Sequence, residues 1–107
     1  MMAMMAALDH DQRAELAETF HLLGDANRLA LVLACLDHPV NVGDMARQLD
    51  LSPSLVSHHL RLLRAARVLK RERRGKQAYY NLDDAHVREM LTNMIAHLAE
   101  DRRDSSA

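Results

Sequence analysis

SPSLVSHHLRLLRAARVLKRERRGKQAYYNL, residues 52–82, opens as a helix and closes as a hairpin. Ser52 followed by Pro53 is a cap-then-proline start, because the proline ring presets a helical φ where no backbone N–H is needed. Leu55 or Val56, Leu60 and Leu63 then recur at helical spacing and form the inward face. From Val68 the period changes. Two short extended runs, 68–73 and 77–82, flank Arg74-Gly75-Lys76, and this arrangement predicts a β-hairpin.

Upstream, Asn41 caps a short helix through Met45, Ala46 and Leu49, and Asp50 occupies the turn into the next helix. Glycine is commoner at such a turn, but aspartate tolerates a left-handed backbone better than most residues. Ala46 is small where the two helices cross, and Val56, ten residues on, packs under it. Two helices joined by a tight turn and followed by a basic hairpin outline a winged helix-turn-helix, in a chain that is mainly α with one small β-hairpin. Further out, residues 9–23 place Leu16, Phe20 and Leu23 at helical spacing, and Gly24 offers a left-handed stop. Asp25 caps a helix from Ala26 to about Leu36, whose Leu29, Val32, Leu33 and Leu36 face the core; His38-Pro39 ends it. A last helix runs from Asp83 or Asp84 to about Asp101. One domain over residues 9–101 is expected, with a disordered leader, 1–8, and a disordered tail, 102–107.

Composition agrees with a single small domain. The 107 residues, 27% charged and 49% hydrophobic, contain no apolar run near the ~20 residues of a membrane span, which excludes a membrane protein. Cys35 is the one cysteine, so no intrachain disulfide forms, and a reducing, cytoplasmic setting is expected. The opening MMAMMAALDH lacks the basic start and sustained apolar stretch of a signal peptide. A net charge of −1 conceals a strong asymmetry: residues 52–80 hold eight Lys or Arg against Glu72 alone, while residues 1–51 hold three against eight acids. A local basic field attracts phosphates whatever the overall charge. Ser54, Ser57, His58 and Arg61 on the second helix of the motif are therefore candidates for base edges or phosphates in double-stranded DNA. Arg71, Arg73, Arg74 and Lys76 are candidates for the backbone or minor groove.

The stretch LGDANRLALVLACL followed by SPSLVSHHLRLLRAARVLKRERRGKQAYYNL strongly resembles the ArsR/SmtB family of bacterial metal-sensing repressors, over roughly residues 10–101. Ser54, Ser57, His59 and Leu60 to Leu63 carry the motif, and the charged wing ending in Tyr79-Tyr80 completes it. The resemblance implies a homodimeric repressor, joined through its first and last helices, that leaves its operator when metal binds. Within the family, DAHVREMLTNMIAHLAE is most similar to the zinc and cobalt sensors that bind metal on the last helix. Sensors that use the helix before the recognition helix carry a CxC pair there; NVGDMARQL has no cysteine, so that site is not expected. Cys35 reads as a small core residue.

The last helix repays a reading of its own. His86 and His97 are eleven residues apart, about 1100° of rotation, so they share a face, yet they stand ~16.5 Å apart along the axis. One ion cannot bridge them within a helix. If two copies pack antiparallel about a two-fold axis, His86 of one meets His97 of the other, and two equivalent sites result. Glu100 lies on the face of His97, and Asp84, just before the first turn, can swing towards His86. The expected set is Asp84 and His86 from one chain with His97 and Glu100 from its partner. Two imidazoles and two carboxylates suit tetrahedral Zn(II), the first choice, or Co(II), and not soft Cu(I). His10 joins only for octahedral Ni(II); His21 and His38 read as solvated. Val87, Leu91, Met94 and Leu98 form an apolar stripe beside the ligand face. No Gly-rich phosphate loop, nucleophile elbow or HExxH motif is present, and a closed four-ligand site is unlike that of a zinc hydrolase, so no enzyme is expected. A winged-helix regulator with a non-metal signal and a metal buffer without an operator are the competing readings.

Overall fold

The computed structural model describes residues 7–106, with side chains through residue 102. Helices α1 (His10–Leu23), α2 (Ala26–Ala34), α3 (Val42–Leu49), α4 (Pro53–Ala65) and α5 (Ala85–Ser106) surround strands β1 (Val40–Asn41), β2 (Leu69–Arg74) and β3 (Gln77–Leu82). The sheet is antiparallel in the order β1-β3-β2.

Capping chemistry sets the helix starts. Asp9 and Gln12 form a reciprocal capping box on α1, and the Asp25 carboxylate accepts from the Asn27 and Arg28 N–H groups at 3.0 Å each. Asn41 caps α3 through the Asp44 N–H, and Ser52 caps α4 through the Leu55 N–H, with Pro53 in the first turn. Each cap satisfies a donor that has no partner inside its helix. Asp50 takes the left-handed conformation expected at the motif's turn, with φ 53°. Arg67, at φ 60°, makes a second such turn between α4 and the hairpin, and Gly75 a third at the hairpin tip.

Several expectations are corrected. Gly24 is right-handed, with φ −75°, and closes α1 by donating to the Phe20 and His21 carbonyls. The second helix stops at Ala34 rather than near Leu36, with Cys35 as its cap. The third strand, β1, was not expected; it pairs Val40 with Tyr80 and Asn41 with Tyr79. The last helix carries on to Ser106, so the backbone of 102–106 is helical rather than a disordered tail. Residues 1–6 of the expected leader lie outside the described residues.

The core lies where α2, α3 and α4 meet the sheet. Leu31, Val32, Met45, Val56 and Leu63 are fully buried, joined by Leu60, Val68, Leu69, Tyr80, Leu82 and Leu91. Ala46 and Val56 are both interior, as the helix crossing requires, and Val56 rather than Leu55 faces inward. Leu16, Phe20 and Leu33 do not enter this core: Leu16 is 46% exposed and Phe20 53%. On α5 the apolar stripe divides, with Leu91 buried and Met94, Ile95 and Leu98 open. No helix among the described residues is long and apolar enough to cross a membrane.

Candidate nucleic-acid interface and metal ligands

The α3–turn–α4 unit is held by short-range bonds. The Asp50 N–H reaches back to α3, and the Leu51 N–H donates to the Ala46 carbonyl at 3.0 Å, which turns the chain sharply into α4. With Val56, Leu60 and Leu63 committed inward, the opposite face of α4 presents Ser54, Ser57, His58 and Arg61, all exposed. The four residues expected to read DNA therefore share one solvent-facing side. Across the hairpin, Arg71, Arg73, Arg74 and Lys76 are exposed as well. Arg74 has partners of its own: its guanidinium stands 3.6 Å from the Glu72 carboxylate and 5.1 Å from the centre of the Tyr79 ring.

His59 behaves differently from its neighbour. It turns into the core, 7% exposed, and its Nδ1 has no hydrogen-bond partner among the described residues. Burial holds its proton affinity below the ordinary imidazole range, while the Asp25 carboxylate pulls the other way and Arg28 and His58 add to the lowering. The ring stacks at a tilt on His58, centroids 5.8 Å apart. A histidine following Val56 by three and preceding Leu63 by four lies on the apolar side by periodicity alone, and that spacing is the signal the sequence offers.

At the start of α5 the Asp84 carboxylate accepts from the His86 N–H at 2.7 Å and stands 3.3 Å from His86 Nδ1. That backbone bond is the main reason its carboxyl lies below the usual carboxylate range. The His86 side chain is 93% exposed. An open imidazole beside a carboxylate oxygen is a chemically suitable half-site for Zn(II). His97 and Glu100 are exposed further along the same helix, and within the single chain no group of three or more His, Cys, Asp or Glu side chains converges among the described residues. Asp84 and His86 are thus brought together; His97 and Glu100 are not brought to them. His10 is exposed at the start of α1. Cys35 is fully buried with its Sγ 3.9 Å from Met45 Sδ, and burial pushes its thiol up to about 11, as for a thiol packed in the core.

Contacts spanning the fold were beyond the reach of local pattern. Arg88 on α5 donates to the Leu36 carbonyl and, at 3.3 Å, to Asn81 Oδ1 on β3. Gln77 accepts from Asn41, thirty-six residues earlier.

The family described as "Bacterial regulatory protein, arsR family" matches residues 25–71, from the cap of α2 into β2. The chain is 40% identical over 90 residues to the transcriptional repressor SmtB homolog of Synechocystis sp., covering 84% of this chain and 68% of that protein. The NMR structure of the cadmium metal-sensor CMTR from Mycobacterium tuberculosis is similar at a TM-score of 0.64 and 32% identity, over 74% of this chain and 82% of that one. The homodimeric winged helix-turn-helix DNA-binding domain of Mb0332 from Mycobacterium bovis matches at a TM-score of 0.75 over 94% of both chains, with 17% identity, a likeness of fold.

Proposed function

Since the chain belongs to the ArsR family of bacterial regulatory proteins, we propose that it is a cytoplasmic, homodimeric repressor that holds double-stranded operator DNA in its apo form and is released by Zn(II). The family is one of DNA-binding regulators and not of enzymes. Ser54, Ser57, His58 and Arg61 read the major groove from α4, and Arg71, Arg73, Arg74 and Lys76 hold the backbone or minor groove from the wing. Asp84 and His86 of one subunit, with His97 and Glu100 of the other, form each metal site.

One observation carries this reading. The metal-donor set is split along α5, with Asp84 and His86 together at its start, and the apolar residues Met94, Ile95 and Leu98 beyond them are left uncovered, as are Leu16 and Phe20 on α1. Large apolar side chains that the single chain leaves open are what a partner copy would cover. An antiparallel pair of last helices supplies both the cover and the missing donors. A metal ion acts only through its different affinity for two states, so it must favour a dimer geometry that fits the operator badly. Linking the last helices sets the spacing of the two recognition helices, which must meet half-sites ~34 Å apart.

The test is a titration of the dimer, bound to a DNA fragment selected by the apo protein, with ZnCl2 and in parallel with Co(II) and Ni(II). Release at stoichiometric Zn(II) is expected. A complex that survives saturating metal points to a regulator with another signal, and failure of the apo protein to select DNA points to a metal buffer. Release by Ni(II) alone, lost in His10→Ala, would replace the tetrahedral set with a larger one.

A further inference from the structure

A chain of polar contacts joins the helix-turn-helix to the wing. Asn41, the cap of α3, accepts from the Asp44 N–H at 2.8 Å and donates through Nδ2 to Asp44 Oδ2 at 3.1 Å. The same Nδ2 donates to Gln77 Oε1 at 3.2 Å. That oxygen also accepts from the Tyr79 hydroxyl at 3.2 Å. The Tyr79 ring in turn lies under the Arg74 guanidinium, where a cation is attracted to the face of the ring. One amide oxygen therefore stands between the first helix of the motif and an arginine at the wing tip.

The sheet explains why such a tie matters. β1 pairs with β3 at two positions only, Val40 with Tyr80 and Asn41 with Tyr79. Beyond Tyr79 the wing is a two-stranded ribbon, in which Arg74 pairs with Gln77 at the open end. Such ribbons twist more than wider sheets and have little rigidity of their own. Gln77, the first residue of β3, is fastened to α3 just past the last backbone pairing. Its side chain thus extends the anchorage of the wing towards the tip.

We propose that Gln77 is a positioning residue for DNA binding, which holds Tyr79, and through it Arg74, at a fixed angle to the helix-turn-helix. The inference rests on the reading of the wing as a DNA contact, and does not involve the metal site. Gln77 acts through Arg74 and not by touching DNA.

A double-mutant cycle on apo protein, read as operator affinity, separates these roles. Gln77→Ala is expected to weaken binding about fivefold, the scale of one or two lost hydrogen bonds, and to lower the thermal midpoint by no more than about 8 °C, with unfolding still cooperative because the backbone pairing remains. Tyr79→Phe, which removes the hydroxyl and keeps the ring, is expected to lose less than Gln77→Ala. In an Arg74→Ala background, Gln77→Ala should cost less than about twofold. Equal losses in both backgrounds would overturn the inference in favour of a direct contact. Arg74→Ala weakened with Gln77→Ala at wild-type affinity would overturn the inference and leave the wing assignment standing. No loss in Arg74→Ala would overturn both, and the metal-release reading would stand apart.

Discussion

The Arg88 guanidinium on α5 donates to the backbone carbonyl of Leu36, fifty-two residues earlier and just past α2. Its other terminal nitrogen reaches Asn81 Oδ1, which also accepts from the Leu82 N–H at 2.9 Å. One side chain thus fastens the helix that bears the candidate metal ligands to both the core helix and the wing strand. Arg88→Ala leaves a partly buried carbonyl without its donor, and equilibrium denaturation should show a loss of about 1–3 kcal/mol. Arg88→Lys should recover part of it. Unchanged stability in the alanine variant would mean that the anchor is idle.

On the DNA side, Ser57→Ala or His58→Ala should weaken binding to the operator more than binding to unrelated duplex, because these residues face the groove from α4. Arg73→Ala or Lys76→Ala should weaken both, and should reduce the slope of log affinity against log salt by ~1 for each lost phosphate contact. Titrations at several salt concentrations distinguish the two patterns. Uniform losses across all four variants would contradict the assignment of α4 as the reading helix.

The buried His59 gives the fold a defined acid sensitivity. Burial keeps its folded-state proton affinity low, so below about pH 6.5 the unfolded chain takes up a proton that the folded chain resists. Stability contributed by the neutral ring is therefore present above that pH and lost as the pH falls through the range below it. Thermal midpoints recorded from pH 7.5 to 5 should decline less steeply in His59→Gln than in wild type. Parallel curves would show that the ring is accessible to protons in the folded state.

Cys35 should resist thiol reagents in the native protein and react at once when the chain is unfolded, since a buried thiol pushed up to about 11 carries almost no thiolate at neutral pH. Measured labelling rates below and above the denaturation midpoint check this. Rapid native labelling would place the thiol at the surface.

The parts of the fold legible in the chain are those settled within a few residues. Asp25, Asn41 and Ser52 mark helix starts because each cap is satisfied by an N–H two or three positions on. The change of period at Val68 marks the hairpin for the same reason. β1 left no mark, because two residues whose partners are Tyr79 and Tyr80 make no pattern of their own. Periodicity gives Leu16 and Phe20 an apolar stripe but cannot say which body covers it, and the chain's own core does not. Residue type suggests a left-handed Gly24, whereas a right-handed glycine closes α1 by donating its N–H to the Phe20 and His21 carbonyls. The candidate metal set was legible as spacing on one helix. The Arg88 and Gln77 ties were not, because each depends on where distant segments meet.

Each proposed metal site draws on two subunits, and mixing mutant subunits tests that arrangement. Chains carrying His86→Ala are mixed with chains carrying His97→Ala, and the heterodimer is isolated. If Asp84 and His86 of one chain join His97 and Glu100 of the other, both lesions fall in the same site and the second site stays whole. Losing one imidazole from a four-ligand site removes most of its affinity, so tightly bound Zn(II) should number roughly two per wild-type dimer, one per heterodimer and none in either mutant homodimer. A heterodimer that binds no Zn(II) tightly would contradict the cross-subunit site, because a site built within one chain is broken in both subunits.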